Sequence, residues 1–337
     1  MRPLLDGTDL PLATRHDTAL LDLDGVLYVG PDAVPGAPEA VAAARALGMR
    51  AAFVTNNAAR TPATVAAHLS ELGIPATPEQ VVTSAQAVAT LVAAAVPAGS
   101  AVLVVGGQGL DDALVERGLR PVRSAGDGPA AVVQGFSPDV GWGLLAEGTY
   151  AVGAGVPWFA SNLDTTLPTP QGMAPGNGAL VGVIATATGR SPVAAGKPET
   201  PLHDEAVRRT GARDPLVVGD RLETDVEGAN RAGVPSLLVL TGVASAADLV
   251  AAPAGLRPTY VAADLRTGLL APHPPVGGDA GSGWTCGGWT AQVSGDRLTV
   301  TGAGDRVDGL RAVCVAHWAD GRADADQVGQ ALARLGW

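Results

Sequence analysis

The chain has 337 residues, 47% hydrophobic and 16% charged, which is typical of a folded globular protein with two or three folding units. Its formal charge of −11 argues against a general nucleic-acid binder, because such binding depends on clustered lysine and arginine. Two cysteines, Cys286 and Cys314, cannot build a disulfide framework. No apolar run approaches the roughly 18 residues that span a bilayer, and the start lacks a signal-peptide pattern. We therefore expect a cytoplasmic protein.

Short apolar runs alternate with helical patterns from Ala19 onward. The strand-like segments 19–24 and 49–54 are each followed by a helical pattern, at 36–48 and 61–73. Repetition of this unit predicts parallel strands joined by right-handed crossovers. The fold class is therefore α/β, a Rossmann-like doubly wound sheet, which binds ligands beyond the carboxyl ends of its strands.

A second α/β block interrupts this pattern. Its strand-like runs are 101–107, 130–135 and 157–162. The first pattern then resumes, with helical patterns and strand-like runs at 201–211, 215–220, 224–233, 235–242 and 259–264. We therefore predict a discontinuous core domain over 1–87 and 194–271, with an inserted α/β lobe over 88–193 above the carboxyl edge of its sheet.

After Leu270 the composition changes. A linker rich in proline and glycine leads to a hairpin pattern at 289–302 and two short helical stretches. This predicts a small α+β extension over 272–337, which needs packing against the main body or another subunit to be stable. The extension could be a dimerisation element, a regulatory ligand site or a fragment resembling an acyltransferase fold.

Catalysis by the extension is not expected, because its last helical stretch lacks the glycine-rich loop of an acetyl-CoA site. Cys314 and His317 could share a helix face, but two ligands do not make a metal site. We expect a core-facing cysteine beside a partly buried histidine.

Four polar motifs lie at the ends of predicted strands or in nearby loops. Asp22 and Asp24 share one face if the strand stays extended, and Gly25 then permits a sharp exit. Thr55 and Asn56 follow the next strand, where a hydroxyl, an amide and backbone N–H groups ahead of a helix form an anion-binding seat. The same residue types also form ordinary helix caps.

The other two motifs lie beyond the insert. Lys197 stands in a Gly-Lys-Pro sequence, and its ammonium could neutralise a carboxylate and a phosphoryl oxygen, or it could be a surface lysine in a turn. Asp220 ends a predicted strand, and Asp225 follows five residues later. Carboxylate oxygens suit Mg²⁺. Asp225 could instead complement the dipole of the helix that it opens.

The order of these motifs resembles the haloacid dehalogenase superfamily over about residues 17–270. The resemblance is carried by "LDLDGVLYVG", "FVTNN", "GKP" and "GDRLETD". An insert between the second and third motifs further resembles the branch with a large C2-type cap. That branch includes nitrophenyl-phosphatase-like, phosphoglycolate and pyridoxal phosphate phosphatases.

The resemblance implies a Mg²⁺-dependent phosphoric monoester hydrolase. Asp22 would be the nucleophile that forms an aspartyl phosphate, and Asp24 the general acid and then the general base. Mg²⁺ would be held by Asp22, the backbone carbonyl of Asp24 and Asp220, with Asp225 binding directly or through water. The second aspartate favours phosphate chemistry over dehalogenation, because only phosphate esters have an alcohol leaving group to protonate.

The resemblance also implies where the substrate binds. Thr55 and Lys197 would be catalytic groups on the phosphoryl oxygens. The substrate-binding set would comprise Gly25, Asn56, Asn57, Asn162, Asp164 and Lys197. Asn162 and Asp164 would contact the leaving group from the cap, where Gly176, Asn177 and Gly178 shape a nearby turn.

The expected substrate is a small phosphorylated metabolite, because a large cap leaves a limited pocket. The extra C-terminal module resembles the actinobacterial glycerol 3-phosphate phosphatases, so glycerol 3-phosphate is the first expectation. Alternatives are 2-phosphoglycolate and a broad range of esters that includes pyridoxal phosphate, nucleotides and nitrophenyl phosphate. A phosphotransferase or mutase would use the same aspartates, and a noncatalytic metabolite-binding module is a further alternative. A homodimer could form through the cap or the extension.

Overall fold

The computed structural model describes Leu4 and residues 6–169, 171–321 and 323–337. Its contacts divide the chain into two compact units, one that runs to Ala51 and resumes over Ala212–Trp337, and one over Ala52–Gly211. Within the described stretches, no helix has both the length and the apolar character needed to cross a membrane.

The secondary structure alternates strands and helices along most of the chain. The strands are β1 (Thr18–Leu21), β2 (Tyr28–Val29), β3 (Asp32–Ala33), β4 (Arg50–Thr55), β5 (Val81–Thr83), β6 (Ala101–Val105), β7 (Arg120–Val122), β8 (Ala131–Gln134), β9 (Trp158–Ala160), β10 (Thr166–Thr169), β11 (Gly172–Pro175), β12 (Val193–Ala194), β13 (Pro215–Gly219), β14 (Ser236–Val239), β15 (Tyr260–Ala262), β16 (Gly277–Asp279), β17 (Gly283–Cys286), β18 (Trp289–Ser294) and β19 (Arg297–Gly302). The α-helices are α1 (Leu12–Arg15), α2 (Ala37–Ala46), α3 (Pro62–Glu71), α4 (Ser84–Ala95), α5 (Gln108–Glu116), α6 (Trp142–Gly153), α7 (Asn177–Thr188), α8 (Pro201–Thr210), α9 (Glu227–Ala232), α10 (Ala246–Val250), α11 (Leu265–Leu270), α12 (Arg306–Asp320) and α13 (Ala325–Leu335). A π-helical turn, Leu222–Val226, precedes α9, and single 3₁₀ turns lie at Pro78–Gln80, Ala125–Asp127 and Ala254–Leu256.

A parallel sheet forms the centre of the first unit. Its strands β15, β14, β13 and β1 lie side by side in that order, and each neighbouring pair is parallel. All four residues of β1 are buried, as expected for an apolar run covered on both faces of a parallel sheet. Helices α11 and α12 both pack against β15. The predicted parallel α/β fold is thus confirmed.

The second unit contains β5, which pairs in parallel with residues 53–55 of β4, and a five-stranded parallel sheet in the order β12, β9, β8, β6, β7. Helices α6 and α7 pack together, and Val105, Val132, Trp158 and Ile184 belong to the apolar core of this unit. Gly148 lets α6 approach the sheet, because a Cβ there would lie 2.7 Å from Val105 Cγ2. Strands β10 and β11 form a separate antiparallel hairpin.

A buried carboxylate connects α8 to α4 and to the end of α5. The side chain of Glu205 in α8 is only 2% exposed. Its carboxylate lies 2.8 Å from Arg117, 2.6 Å from Arg208 and 2.7 Å from Arg209, and the Thr90 hydroxyl in α4 donates to it at 3.2 Å. Removal of one partner would leave a buried charge without compensation, which is strongly destabilising. The cluster therefore holds α8 against α4 and against the end of α5.

The C-terminal extension is an antiparallel sheet covered by two helices. Strands β16 to β19 are neighbours in chain order. Strands β18 and β19 form a hairpin in which Ser294 lies opposite Arg297, so the predicted hairpin is confirmed. Helix α12, at 15 residues, is longer than the short helical stretch predicted there.

The extension shares a hydrophobic core with the rest of the first unit. Trp289 and Cys314 of the extension belong to the same buried cluster as Leu249 in α10 and Val261 in β15. The indole N–H of Trp318 donates to the carbonyl oxygen of Val250 at 3.0 Å. The main body therefore supplies the packing that the short extension was predicted to need.

Both cysteines are buried free thiols. Burial raises the pKa of the Cys286 thiol to about 12, and burial also raises the pKa of the Cys314 thiol. His317 is partly buried, and the described residues place Cys314 and His317 in no cluster that could hold a metal. The expected arrangement of a core cysteine beside a partly buried histidine is confirmed.

Candidate active site

Asp22 follows strand β1 directly. Its backbone N–H donates to the carbonyl oxygen of Val218 at 2.9 Å, which continues the parallel pairing with β13 by one residue. The chain then turns, because the N–H groups of Val26 and Leu27 both donate to the carbonyl of Leu23. The regular strand therefore ends before the two aspartates. Asp22 is half-buried beyond the end of the sheet.

Asp24 lies in the turn rather than in a strand. Its side chain is exposed, and its backbone pairs with that of Tyr28 in a single β-bridge outside the strands. Gly25 has φ +79°, and a Cβ there would lie 2.3 Å from Asp220 Oδ2. The hydroxyl of Thr241 donates to the Gly25 carbonyl at 2.6 Å. Glycine is required here both by the left-handed backbone and by the close approach of Asp220.

Asp220 follows strand β13, and its carboxylate is held by a loop after β14. Its Oδ2 accepts a hydrogen bond from Val243 N at 2.7 Å, and its carbonyl accepts one from Ala244 N at 2.9 Å. Gly242 packs so closely that a Cβ there would lie 1.9 Å from Oδ2. Asp220 is 1% exposed, and these contacts fix the direction in which its carboxylate points.

Asp225 lies in the π-helical turn before α9. Its Oδ2 accepts a hydrogen bond from the backbone N–H of Arg221 at 3.1 Å. The residue is 1% exposed, and a Cβ on Gly219 would lie 2.2 Å from its side chain. The predicted helix at 224–233 therefore begins as a wider turn that directs Asp225 back toward the end of β13.

Three carboxylates meet in what we call the acid cluster, Asp22, Asp220 and Asp225. One carboxylate oxygen from each lies within 4.8 Å of the others. Octahedral Mg²⁺ binds oxygen at about 2.1 Å, which places its ligand oxygens roughly 3 to 4.2 Å apart. Two of the three residues are 1% exposed, and like charges in a dry environment need a compensating cation. The donor set therefore fits a hard divalent ion.

Thr55 and Asn57 organise the loop after β4. Thr55 is 4% exposed, and its hydroxyl accepts the N–H of Asn57 at 3.1 Å. Asn57 Oδ1 in turn accepts the N–H groups of Ala59 at 2.8 Å and Arg60 at 3.2 Å. The side-chain oxygen of Asn57 thus shapes the loop ahead of α3 as a local turn, whereas the helix cap itself is Thr61.

Asn56, Asn162, Asp164 and Lys197 form a second polar group, the amide network. Asn56 Oδ1 accepts the backbone N–H of Lys197 at 2.8 Å, and Asn56 Nδ2 donates to the Lys197 carbonyl at 3.1 Å and to the Asp164 carboxylate. Asn162 Nδ2 donates to the Asn56 carbonyl at 2.8 Å. Lys197 is 5% exposed, so it is not a surface lysine.

The cap turn after β11 is shaped by two glycines. Gly176 N donates to the Thr165 carbonyl at 2.9 Å, and Gly178 N donates to the Asp164 carbonyl at 2.8 Å. Asn177 Nδ2 donates to the carbonyl of Asn162 at 2.7 Å. These bonds attach the start of α7 to the segment that contains Asn162 and Asp164.

Sequence reasoning missed the loop that follows β14. Thr241, Gly242 and Val243 make contacts with Gly25 or Asp220. The sequence did contain a signal for this loop. The strand-like run 235–242 ends in Thr-Gly, and parallel strands place their carboxyl ends at the edge of the sheet where the ligand binds. Ser84, whose hydroxyl donates to the Asn56 carbonyl at 2.5 Å, had no such signal.

Comparison with known proteins places the chain in a family. Residues 19–120 match the haloacid dehalogenase-like hydrolases, 194–268 match a second HAD-hydrolase-like family, and 286–337 match a GCN5-related N-acetyltransferase like domain. A D-glycerol 3-phosphate phosphatase of Mycobacterium tuberculosis is 47% identical over 331 residues, 94% of this chain and 90% of that protein. The chain belongs to the haloacid dehalogenase-like hydrolases.

Other members of the family extend this likeness. An acid sugar phosphatase of Staphylococcus aureus is 35% identical to this hydrolase over 76% of the chain and 97% of its own length. A crystal structure of glycerol phosphate phosphatase from Mycobacterium tuberculosis in complex with magnesium has a TM-score of 0.88 and 45% identity, covering 97% of this chain and 99% of that chain. A p-nitrophenyl phosphatase from Archaeoglobus fulgidus has a TM-score of 0.69 and 29% identity over 74% and 97% of the two chains.

These likenesses confirm the predicted superfamily and its nitrophenyl-phosphatase-like branch. The Rossmann-like fold and the enzyme class of the hydrolase are confirmed as well, since the relatives are named phosphatases. The noncatalytic alternative loses support for the same reason. The match over 286–337 agrees with the alternative in which the extension is a fragment resembling an acyltransferase fold.

Proposed function

We propose that this hydrolase is a Mg²⁺-dependent phosphatase that acts on glycerol 3-phosphate through an aspartyl-phosphate intermediate. The acid cluster carries this proposal, because three carboxylate oxygens within 4.8 Å of one another suit a hard divalent ion beside a nucleophile. The magnesium named in the crystal structure of the Mycobacterium tuberculosis relative supports the choice of ion.

The chemistry divides between two carboxylates. Asp22, at the end of the buried strand β1, attacks phosphorus, and the bond from phosphorus to the ester oxygen breaks. Asp24 is exposed in the following turn, where it can give a proton to the departing alkoxide. It can later take a proton from the water that attacks phosphorus, which breaks the bond from phosphorus to the Asp22 oxygen, releases phosphate and restores the carboxylate. Gly25 shapes the turn that follows Asp24.

The acid cluster would hold Mg²⁺ through Asp22 and Asp220, together with the backbone carbonyl of Asp24. Asp225 would bind it directly or through water. When bound, the ion neutralises negative charge and orients the phosphoryl oxygens. The backbone N–H groups of Val243 and Arg221 already fix the directions of Asp220 and Asp225.

Thr55, Asn56, Asn57 and Lys197 are proposed to serve the transferring phosphoryl group. Phosphoryl transfer depends chiefly on positioning and on charge stabilisation. The Lys197 ammonium would supply positive charge, and the Thr55 hydroxyl, oriented by the Asn57 N–H, would supply a hydrogen-bond donor. The loop over Asn56 and Asn57 would lie against the phosphoryl oxygens. Asn162 and Asp164 are proposed to contact the leaving group.

Glycerol 3-phosphate is favoured by a relative that matches nearly the whole chain, the C-terminal extension included. The D-glycerol 3-phosphate phosphatase covers 94% of the chain, whereas the acid sugar phosphatase covers 76% over 257 residues. A sugar phosphate is therefore the second candidate class, with 2-phosphoglycolate and a broad ester range as further alternatives. All of them are small phosphorylated metabolites.

A phosphate-release panel with Mg²⁺ tests the proposal. It compares glycerol 3-phosphate with phosphoglycolate, pyridoxal phosphate, a hexose phosphate, a nucleotide and nitrophenyl phosphate. We expect the highest kcat/KM for glycerol 3-phosphate. Free phosphate without transfer to a second sugar separates a hydrolase from a phosphotransferase or mutase. A higher kcat/KM for any other ester would overturn the substrate assignment while leaving the phosphatase in place.

The functional division of the chain is also a proposal. Residues 1–87 and 194–271 would form the catalytic core, 88–193 the cap and 272–337 the extension. A homodimer through the cap or the extension is testable by light scattering. A cytoplasmic location is favoured by the two free, buried thiols and is testable by cell fractionation.

A further inference from the structure

The side-chain amide of Asn56 holds the backbone of Lys197 at two points. Its Oδ1 accepts the Lys197 N–H at 2.8 Å, and its Nδ2 donates to the Lys197 carbonyl at 3.1 Å. Both backbone hydrogen-bonding groups of the lysine are thus engaged by one side chain that lies 141 residues away in sequence. This contact fixes the backbone from which the Lys197 side chain projects.

The same amide also orients Asp164. Asn56 Nδ2 lies 3.2 Å from one carboxylate oxygen of Asp164 and 3.4 Å from the other. A flipped amide would place its NH₂ group against the Lys197 N–H and its oxygen against two acceptors, so the partners determine its orientation. One planar group therefore holds both the lysine backbone and the cap aspartate.

Asn162 closes this arrangement into a ring. Its Nδ2 donates to the Asn56 carbonyl at 2.8 Å, and its Oδ1 accepts the Asp164 N–H at 3.1 Å. Gly196 allows the close packing, because a Cβ there would lie 2.7 Å from Asn56 Oδ1 and 2.9 Å from Asn162 Cβ. A ring of short polar contacts resists displacement of any one member.

We propose that Asn56 is a positioning residue that sets the backbone of Lys197 and the direction of the Asp164 carboxylate together. It thereby couples the leaving-group contact in the cap to the lysine on the phosphoryl group, and in this respect it rests on the proposed function. Its side chain acts through Lys197 and Asp164, whereas the sequence had assigned Asn56 to the substrate itself.

Hydrogen exchange tests the positioning role without any assay of activity. In Asn56→Ala, the amide of Lys197 loses its acceptor, and we expect it to exchange at least about tenfold faster in a peptide that covers 193–200. Asn230→Ala is the matched control, since Asn230 Nδ2 also donates to two carbonyls, those of Gly255 and Arg257. Unchanged exchange at Lys197 in Asn56→Ala, or equal acceleration in the control, would overturn the proposal.

Kinetics test the coupling. Asn56→Asp keeps the shape of the side chain and an acceptor for the Lys197 N–H, but it places a carboxylate against Asp164. We expect kcat to fall at least about tenfold, or ~1.4 kcal/mol in the barrier, while Asn230→Asp leaves kcat within twofold. If Asn56→Ala does not fold, this isosteric variant decides the question.

The double variant gives the sharpest result. Asp164→Asn alone should lower kcat/KM, because it removes the charge proposed to read the leaving group. In the Asn56→Asp background the same change supplies an amide donor to the new carboxylate, so we expect it to raise kcat/KM. Equal loss in both backgrounds would show that the residues act independently. If the wild type releases phosphate from no ester, the proposed function fails, and the exchange experiment still decides the role of Asn56.

Discussion

Substitution of Gly242 by alanine tests whether the geometry of Asp220 supports activity. A Cβ at this position would lie 1.9 Å from Asp220 Oδ2 and 2.8 Å from Asp220 Cβ. Ordinary van der Waals contact of a Cβ begins at 3.4 Å, so the carboxylate would have to move by roughly 1.5 Å. Gly242 has no positive φ, and the backbone itself therefore accepts alanine.

The expected loss follows from that displacement. Moving Asp220 breaks its 2.7 Å hydrogen bond from Val243 N and takes one carboxylate out of the acid cluster. A misplacement of about 1 Å in a catalytic arrangement can cost about 100-fold in rate, and loss of a supporting contact costs about 10- to 100-fold in metal affinity. We therefore expect kcat/KM to fall about 100-fold and Mg²⁺ binding to weaken at least about tenfold.

Phosphate release at a series of Mg²⁺ concentrations measures the first effect, and titration calorimetry with Mg²⁺ measures the second. Gly182→Ala is the matched control, because Gly182 lies within helix α7 and its added Cβ would meet nothing within 4 Å. That control should keep full activity and gain up to about 1 kcal/mol in stability. A Gly242→Ala enzyme with more than a third of wild-type kcat/KM and unchanged Mg²⁺ affinity would refute the role given to Asp220.

The remaining predictions concern the nucleophile, a buried charge cluster and the thiols. Asp22→Asn should reduce phosphate release at least about 1,000-fold with an unchanged circular dichroism spectrum, and undiminished turnover would remove the proposed nucleophile. Glu205→Gln should lower the free energy of unfolding in urea by about 3 kcal/mol, while Glu116→Gln, whose side chain is 54% exposed, should cost under about 1 kcal/mol; equal effects would contradict this. Burial of Glu205 opposes its ionisation, but the hydrogen bonds from Arg208 and Arg209 outweigh burial and lower the pKa of Glu205. The stabilisation that the ionised carboxylate gives the folded protein is therefore fully present above the ordinary glutamate pKa of about 4.3. It is lost as the pH falls through the lowered pKa. The wild-type advantage over Glu205→Gln should therefore shrink in urea titrations as the pH falls below the ordinary glutamate pKa, and it should disappear once the pH is below the lowered pKa of Glu205. Cys286 and Cys314 should react with a thiol reagent at pH 8 only after denaturation, because burial raises the pKa of both thiols.

The sequence was sufficient to predict the two strands that precede Asp22 and Asp220, but not the turn that carries Asp225 or the loop that holds Asp220. Apolar runs of the length of a buried strand end directly before Asp22 and Asp220. The carboxyl ends of neighbouring parallel strands lie at the same edge of a sheet. The exact course of the chain beyond the strands was less accessible. The strand-like pattern over 19–24 suggested extended backbone to Asp24, whereas backbone bonds to Leu23 end it earlier.

Contacts between distant segments could not be read from local patterns. Asn56 and Asp164 are 108 residues apart, and their hydrogen bond depends on how the loop after β4 meets the cap segment. A sequence shows that an asparagine can donate and accept, but not which partners it finds. The same limit applies to Val243, whose backbone N–H is chemically ordinary and acquires its importance only through Asp220.

The two polar groups are fixed by different physical means, and this difference bears on how substrate preference can change. Glycines at positions 25, 219 and 242 restrict the acid cluster through close packing, so almost any added side chain there displaces a carboxylate. The amide network is held by hydrogen bonds that its side chains make with one another and with the backbone, and such side chains can exchange partners when residues change in pairs. Variants that alter the preferred ester while keeping phosphatase activity should therefore arise at Asn162 or Asp164 and not at those glycines.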